Sequence, residues 1–234
     1  MKVIGIIPAR YGSSRFPGKP LADILGKSMI QRVYEQCKKA PSLSEVIVAT
    51  DDKRIFNHVI SFGGKALITS TTHLSGTDRC NEVIQSLTKK YDIAINIQGD
   101  EPFINPEQID QVASLFNSEE VSIATLAKKI EDESIITDIN SPKAIFDSNG
   151  IALSFCRKIT NLNQKKSYFK HIGIYGYLTK TLAEICKLPP TDNEIKERLE
   201  QLRWLDNKYT IKVGVTTHES ISIDTPEEDR KSVV

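Results

Sequence analysis

Cysteine is scarce in this sequence, and long apolar runs are missing. Its 234 residues include four cysteines without any CxxC spacing, which argues against a zinc cluster or a disulfide framework and favours a reducing compartment. No apolar run approaches the roughly 20 residues of a membrane-spanning helix, and the apolar start is interrupted too early for a signal peptide. We therefore expect a cytoplasmic protein with no membrane partner. The cysteines, which we expect to be small buried residues, are Cys37, Cys80, Cys156 and Cys186.

An excess of charge of one sign is also missing. Lys and Arg number 31 against 30 Asp and Glu, so the net charge is +1. A protein that coats nucleic acid needs a broad basic excess, and we therefore expect no nucleic-acid partner. With 39% hydrophobic and 26% charged residues, the composition is typical of a globular chain. The length fits a single α/β domain over residues 1–234.

Short β-branched runs alternate with amphipathic stretches in the first half of the sequence. Apolar residues at helical spacing follow the predicted strands, as at Met29, Val33 and Cys37. Because helical crossovers connect parallel strands, this alternation predicts a parallel sheet, and ligands of such sheets bind beyond the carboxyl ends of the strands. The predicted strands cover residues 3–7, 46–49, 66–68 and 93–97.

The alternation changes after about residue 125. Asn149 and Gly150 favour a hairpin between strands at 143–147 and 151–155. Since no Pro/Gly/Ser linker separates the two halves, we expect an insertion at about 126–190 rather than a separate domain. Two further strands are predicted at 172–177 and 209–215, with one helix between them that carries Ile195, Leu199, Leu202 and Leu205.

A basic, glycine-containing loop follows the first predicted strand at residues 8–21. Small residues allow a ligand to approach the backbone, and Arg10, Arg15 and Lys19 concentrate positive charge. The loop has neither the Walker A nor the GxGxxG pattern. On charge alone a solvated basic loop is an equal alternative, but the position after the first strand favours phosphate binding.

Two acidic residues follow apolar segments, Asp100 after residues 93–97 and Asp224 after Ile223. Each alone is typical of a turn or a helix cap. Two carboxylates about 4 Å apart repel by roughly 4 kcal/mol at an effective dielectric constant near 20, and a shared Mg²⁺ turns this repulsion into attraction. We therefore consider a magnesium site formed by this pair.

These segments resemble the 3-deoxy-manno-octulosonate (Kdo) cytidylyltransferases, also called CMP-Kdo synthetases. The similar segments occur in family order along nearly the whole chain: IPARY and PGKPL at 7–11 and 17–21, VATDD at 48–52, SGTDR at 75–79, QGDEP at 98–102, HIGIY at 171–175, LEQLR at 199–203 and DTPE at 224–227.

The resemblance implies a fold, an assembly and a reaction. The fold is that of the nucleotide-diphospho-sugar transferases, a Rossmann-like mixed sheet with helices on both faces. The insertion at about 126–190 is implied to contribute to the sugar pocket and to a homodimer interface. The reaction is CTP + Kdo → CMP-Kdo + pyrophosphate, with Mg²⁺ as cofactor, in the cytoplasmic stage of lipopolysaccharide synthesis. In-line displacement of this kind needs positioning and charge neutralisation rather than a covalent nucleophile.

The resemblance also assigns roles to residues of this sequence. The catalytic residues are implied to be Asp100, Asp224 and Lys19, with the two aspartates as Mg²⁺ ligands. The residues implied to bind the nucleotide are Pro8, Ala9, Arg10, Arg15, Lys19, Ser75, Gly76, Arg79 and Gln98. Those implied to line the sugar pocket are Arg157, His171, Tyr175, Glu200 and Gln201. On pattern alone, His171 is typical of a buried structural histidine, and Glu200 and Gln201 of a solvated helix face.

Some segments depart from the family pattern and leave alternatives open. Cys156 stands where serine is usual, and residues 160–167 form a shorter polar stretch than expected. The segment 218–222 replaces a glycine-containing loop and ends like relatives that activate the 8-amino analogue of Kdo, which keeps that sugar as an alternative substrate. A glycosyltransferase with Asp100 as its metal ligand and a nucleotide-sensing module are further alternatives.

Overall fold

The computed structural model describes residues 1–12, 16–118, 121–159, 167–220 and 222–223. They form two compact units, one of residues 1–110 with the described residues after 219, the other of residues 111–219. The α/β class with a mainly parallel sheet is confirmed. A single domain with an insertion at about 126–190 stays a prediction. Among the helices described, none is long and apolar enough to cross a membrane.

The first unit alternates strands and helices as its sequence predicts. A short hairpin of the strands Asp23–Ile24 and Lys27–Ser28 follows a 3-10 turn at Lys19–Leu21, and it was not predicted. The other elements match the predicted types, and several of them extend a few residues beyond the predicted bounds. The elements are β1 (Val3–Ala9), β2 (Asp23–Ile24), β3 (Lys27–Ser28), α1 (Met29–Cys37), β4 (Leu43–Thr50), α2 (Lys53–Ser61), β5 (Ala66–Ile68), α3 (Gly76–Ser86) and β6 (Ile93–Asn96).

Four strands of this unit form a parallel sheet in the order β6-β1-β4-β5. Ile6 of β1 pairs with Asn96 of β6 on one side and with Ile47 of β4 on the other. Nearly every residue of β1 and β6 is buried, as expected for parallel strands covered on both faces. Because the strands are parallel, Ala9 and the residues after Asn96 lie at the same edge of the sheet.

Helix caps in this unit come from side chains that the sequence places just before each helix. Ser28 accepts a hydrogen bond from the Gln31 backbone N–H, and Asp52 accepts one from that of Arg54. Such caps stabilise a helix by about 1 kcal/mol each. They fix where the helices begin relative to the strand ends, and therefore which side chains face the carboxyl edge.

Helix α4 (Pro106–Ser114) begins as predicted, with the Asn105 carboxamide oxygen accepting from the Glu107 N–H at 2.9 Å. The remaining elements include one strand, Ile123–Lys129, and two helices, Glu133–Thr137 and Thr179–Ile185, that were not predicted. They are β7 (Ile123–Lys129), α5 (Glu133–Thr137), β8 (Lys143–Phe146), β9 (Ala152–Cys156), β10 (Phe169–Leu178), α6 (Thr179–Ile185), α7 (Asp192–Glu197), α8 (Gln201–Asp206) and β11 (Ile211–Thr216).

The second unit contains a mixed sheet. Strand β7 pairs parallel with β11 and antiparallel with β10, whereas the predicted hairpin of β8 and β9 is antiparallel and joins β10. Gly150 has a φ of 75°, which suits the left-handed position of a hairpin turn. Strand β7 was missed because its sequence has no alternation of apolar and polar residues, being buried from Ile123 to Ala127.

The prediction of one helix through Ile195, Leu199, Leu202 and Leu205 was wrong. Two short helices, α7 and α8, replace it, because Arg198 adopts a left-handed conformation with φ 53° and ends α7. Ile195 is 64% exposed, whereas Leu199 and Leu202 are buried on the other side of the break. The expectation of buried cysteines holds for Cys37 and Cys80, while Cys156 and Cys186 are half-buried, and all four are free thiols.

Candidate active site

A pocket of about 260 Å³ lies at the carboxyl edge of the first unit's sheet. The ends of β1 and β6, the loop before β2 and the N-terminus of α3 form its wall, which is where ligands of parallel sheets are expected. The residues that line it are Pro8, Ala9, Arg10, Lys19, Pro20, His73, Leu74, Ser75, Gly76, Arg79, Gln98, Gly99 and Asp100.

Every described residue that the sequence analysis assigned to the nucleotide or to catalysis lines this pocket. Arg15 and Asp224 also belong to that set, and they lie outside the described residues. The residues brought together come from four separate segments, and they are Pro8, Ala9, Arg10, Lys19, Ser75, Gly76, Arg79, Gln98 and Asp100.

Lys19 and Asp100 form an ion pair inside the pocket. The Lys19 ammonium donates to the Asp100 carboxylate at 2.8 Å, and the two side chains are 12% and 30% exposed. Both side chains are therefore accessible from the pocket. The pair places a cation and a potential metal ligand side by side, 81 residues apart in the sequence.

Two glycines allow backbone segments to approach each other at the pocket floor. A Cβ atom on Gly99 would lie 2.7 Å from the Pro8 carbonyl oxygen, which is closer than atoms can pack. A Cβ on Gly76 would lie 3.3 Å from the Pro8 ring. Since α3 begins at Gly76, the positive end of its dipole suits an anionic ligand. Ser75 caps this helix by accepting from the Asp78 N–H at 3.1 Å.

Arg79 reaches the pocket wall as a buried, paired cation. Its guanidinium donates to the Asp51 carboxylate at 2.8 Å, to the Thr69 hydroxyl and to the Ser70 carbonyl at 3.2 Å. The residue is only 4% exposed. The ion pair with Asp51 therefore fixes the orientation of Arg79, and Asp51 is a supporting residue that the sequence analysis did not single out.

Sequence reasoning also missed four lining residues: Pro20, His73, Leu74 and Gly99. His73 contacts the Glu82 carboxylate through Nε2, and Glu82 also accepts from the Ser70 N–H at 2.9 Å. Leu74 is 91% exposed although it is apolar. The signal that could have identified His73 and Leu74 is their position directly before the helix cap Ser75, at the predicted ligand edge.

The described residues contain no cluster of three or more His, Cys, Asp or Glu side chains that could hold a metal by itself. Magnesium, however, typically uses one or two carboxylates together with substrate phosphates and water. The Asp100 carboxylate is open to the pocket, and the Ile223 N–H donates to the Asp100 carbonyl oxygen at 2.9 Å. Ile223 also packs against Ile24 and Met29. This donor set therefore fits a magnesium ion held jointly with a phosphate ligand.

The residues assigned to the sugar lie in the second unit. His171 is buried and its Nε2 lies 3.0 Å from the Thr125 hydroxyl, and burial lowers the pKa of His171 to about 3. The ring is therefore neutral at physiological pH. Tyr175 packs edge-on against Trp204 with ring centroids 5.1 Å apart. His171 and Tyr175 are neighbours on β10, with ring centroids 5.3 Å apart.

Two buried polar atoms of this group make no hydrogen bond within the part of the chain that the structure describes. They are the hydroxyl oxygen of Tyr175 and the Nε2 of Gln201. Burial raises the pKa of Tyr175 well above its usual value, and the negative charge of Glu200 adds to this shift. Because unpaired buried polar atoms cost free energy, a polar ligand that bonded to them would relieve that cost.

Arg157 lies at the end of β9 and connects three backbone segments of the second unit. Its guanidinium donates to the carbonyl oxygens of Glu197 at 2.7 Å, Ile139 at 3.1 Å and Arg198 at 3.2 Å. The residue is half-buried, and guanidinium has five N–H donors, so two of them make no contact with the residues that the structure describes. Arg157 thus fixes the turn between α7 and α8, directly before Glu200 and Gln201.

Comparison with known proteins gives consistent matches over the full length. Residues 4–213 match the sequence profile of the cytidylyltransferase family. A 3-deoxy-manno-octulosonate cytidylyltransferase from Parabacteroides distasonis is 51% identical over 246 residues, covering 100% of this chain and 97% of the relative. An 8-amino-3,8-dideoxy-manno-octulosonate cytidylyltransferase from Shewanella halifaxensis is 47% identical over 236 residues. The match covers 98% of this chain and 96% of the relative.

Among solved structures, a CMP:2-keto-3-deoxy-manno-octonic acid synthetase in complex with CTP superposes with a TM-score of 0.94. It shares 39% sequence identity, and the match covers 100% of this chain and 97% of the solved chain.

Proposed function

The chain belongs to the cytidylyltransferase family, and on this premise we propose that it activates Kdo with CTP, giving CMP-Kdo and pyrophosphate. The observation that carries the proposal is the pocket at the sheet edge, where residues of four separate family segments meet. We place the reaction in the cytoplasmic stage of lipopolysaccharide synthesis. The four free thiols are in keeping with a reducing compartment.

The pocket suits a nucleoside triphosphate. The cations Arg10 and Lys19 and the N-terminus of α3 supply positive charge to the cavity wall. Gly76 and Gly99 allow the backbone at the pocket floor to pack closely against Pro8. We assign the triphosphate to Arg10, Arg15 and Lys19, and the rest of the nucleotide to Pro8, Ala9, Ser75, Gly76, Arg79 and Gln98.

In the proposed reaction the anomeric hydroxyl of Kdo attacks the α-phosphorus of CTP. The new bond joins the sugar oxygen to this phosphorus, the bond to the β-phosphate oxygen breaks, and pyrophosphate leaves with that electron pair. The hydroxyl proton is released to water. Lys19 stabilises the charge that develops on the phosphate oxygens, and its contact with Asp100 keeps its ammonium in place.

Magnesium is the cofactor we propose. Asp100 and Asp224 would hold it, since Asp224 directly follows Ile223, whose N–H donates to the Asp100 carbonyl oxygen. When bound, the ion neutralises phosphate charge and lowers the pKa of a bound hydroxyl. Magnesium affinity in the presence of CTP, measured for wild type, Asp100→Ala and Asp224→Ala, tests this assignment. Equal affinity in all three proteins would remove both ligands from the proposal.

The second unit supplies the groups that suit an acidic, polyhydroxylated sugar. We assign the sugar to Arg157, His171, Tyr175, Glu200 and Gln201. The unpaired Tyr175 hydroxyl and Gln201 carboxamide fit sugar hydroxyls, which both donate and accept hydrogen bonds. Arg157 retains two N–H donors for a carboxylate.

A second candidate substrate is the 8-amino analogue of Kdo. The relative from Shewanella halifaxensis that carries this activity in its name is nearly as similar as the Kdo relatives. The segment 218–222 of this chain also ends like the corresponding loop of such enzymes. The chemistry at phosphorus is the same for both sugars, so only the fit of the terminal group separates them.

Pyrophosphate release from CTP separates the candidate functions. We expect release only when CTP, sugar and Mg²⁺ are all present. Equal release with CTP alone would indicate hydrolysis, and binding of CTP without release would indicate a nucleotide sensor. If the enzyme consumed added CMP-Kdo and released no pyrophosphate, that result would indicate a glycosyltransferase. Parallel reactions with Kdo and its 8-amino analogue rank the two sugars by kcat/KM.

We also propose a homodimer, with the region at about 126–190 at its interface. Ile145 and Leu153 on the hairpin of β8 and β9 are 44% and 63% exposed, which is unusual for large apolar side chains on neighbouring strands. Light scattering of the purified protein gives the mass directly. A mass of one chain at micromolar concentration would contradict this assembly.

A further inference from the structure

Lys143 is a fully buried lysine in the second unit. Its exposed fraction is 0%, and it ranks with Trp204 and Phe155 among the largest completely buried side chains. A charged amine is costly to bury unless its N–H groups are paired. An apolar side chain of similar length would fill the same space, so a lysine here indicates that the ammonium group itself has a task.

The ammonium of Lys143 binds main-chain oxygens of two separate segments, one just before β8 and one just after β9. It donates to the carbonyl oxygen of Arg157 at 3.0 Å and to that of Asp138. The Asp138 carboxylate faces other partners, since it accepts from the Asn140 N–H at 2.9 Å and from the Ser141 hydroxyl at 2.7 Å. Lys143 thus links two backbone segments. Burial lowers the pKa of Lys143, and the negative charge of Asp138 opposes this shift.

The contacts of Arg157 extend this link toward the turn between α7 and α8. Its backbone N–H donates to the Glu197 carboxylate at 3.2 Å, while its guanidinium holds the carbonyl oxygens of Ile139, Glu197 and Arg198. The main chain of Arg157 is therefore held from one side by Lys143 and from the other by Glu197. Loss of the Lys143 ammonium would free the Arg157 carbonyl oxygen and let this guanidinium shift.

We propose that Lys143 is a positioning residue for the sugar half of the reaction, acting through the main chain of Arg157. The inference rests on the proposed function, because Arg157 is one of the residues that we assign to Kdo. Lys143 touches neither substrate in this proposal. It fixes the Arg157 guanidinium and, through it, the turn that precedes Glu200 and Gln201.

The test compares Lys143→Met with wild type and with Lys187→Met, a control that removes an exposed lysine of the same unit. We expect Lys143→Met to raise the KM for Kdo about tenfold while the KM for CTP stays within about twofold, since a displaced binding group weakens only its own ligand. Hydrogen exchange measured by mass spectrometry should be faster in the peptides that contain residues 156–159 and 197–199. The control should match wild type in both measurements.

An unchanged KM for Kdo, or an equal rise in both KM values, would overturn the proposal. If Lys143→Met does not fold, Lys143→Arg decides by the same comparison, because it keeps a cationic donor in a displaced position. Failure of wild type to use Kdo or its 8-amino analogue would instead refute the proposed function. In that case the exchange rates of residues 156–159 alone decide whether Lys143 holds the Arg157 main chain.

Discussion

The guanidinium of Arg79 lines the pocket that we assign to the nucleotide, yet groups from other segments determine its orientation. Asp51 and Thr69 hold it from the ends of β4 and β5, and the Arg79 side chain is 5% exposed against 17% for Asp51. Partly buried pairs of this kind contribute more than surface pairs, because solvent screens them less. The pocket thus depends on residues outside its own wall.

Asp51→Asn is expected to weaken nucleotide binding more than catalysis. The amide still accepts a hydrogen bond but leaves the buried Arg79 charge uncompensated, so we expect the KM for CTP to rise about tenfold, equivalent to about 1.4 kcal/mol. The KM for Kdo should stay nearly constant. Steady-state kinetics with each substrate varied gives both values, with Asp192→Asn on exposed α7 as control. Unchanged CTP kinetics would show that Arg79 does not need this partner.

At the scale of elements, the break between α7 and α8 determines where Glu200 and Gln201 lie. Thr191 and Glu194 form a capping box at the start of α7, and Arg198 ends the helix in the left-handed region. If α7 continued through residue 198, the side chains after it would point in other directions than they do in α8. The local conformation of one non-glycine residue therefore places two of the proposed sugar ligands.

Arg198→Gly is expected to stabilise the protein. A non-glycine residue in the left-handed region costs roughly 1–2 kcal/mol, whereas glycine adopts it without that strain but loses more entropy on folding. The Arg198 carbonyl that accepts from Arg157 is retained. We expect a net gain of about 0.5–1 kcal/mol in the free energy of unfolding from urea titration. A loss of stability would mean that the Arg198 side chain contributes more than its conformation costs.

At the scale of the whole molecule, acid stability is expected to depend on His171. Its pKa falls from 6.5 to about 3 on folding because of burial, so the unfolded chain binds a proton in this range and the folded chain does not. Stability should therefore fall as the pH decreases from about 6.5 toward 3, by about 1.4 kcal/mol per pH unit from this group. Carboxylates such as Glu45, whose pKa is lowered to about 2 chiefly by Lys65, add to the loss below about pH 4.5.

Urea unfolding between pH 7 and pH 4.5 measures this dependence. In His171→Gln the slope above pH 5 should flatten, because the neutral amide does not titrate. His218→Gln is a suitable control, since that residue is half-buried rather than enclosed. An identical slope in wild type and His171→Gln would contradict the assignment of a buried neutral imidazole.

Much of the first unit and of the pocket could be predicted from the sequence. The strands predicted at 3–7 and 93–97 follow from local patterns, and a parallel sheet gathers the ends of such strands at one edge. The partner of Arg79, the unpaired Tyr175 hydroxyl and the link through Lys143 depend on contacts between distant segments, which no local pattern encodes. The conformation of Arg198 was missed because the apolar spacing continues across it.

The central claim is that this chain joins the α-phosphate of CTP to an acidic octulosonate sugar. Phosphorus NMR of one reaction mixture containing enzyme, CTP, Kdo and Mg²⁺ tests it most directly, because it follows every phosphate at once. We predict that the triphosphate signals decrease while a phosphodiester signal and a pyrophosphate signal appear in equal amounts. Persistence of the CTP signals with both this sugar and its 8-amino analogue, or the appearance of inorganic phosphate in their place, would contradict the claim.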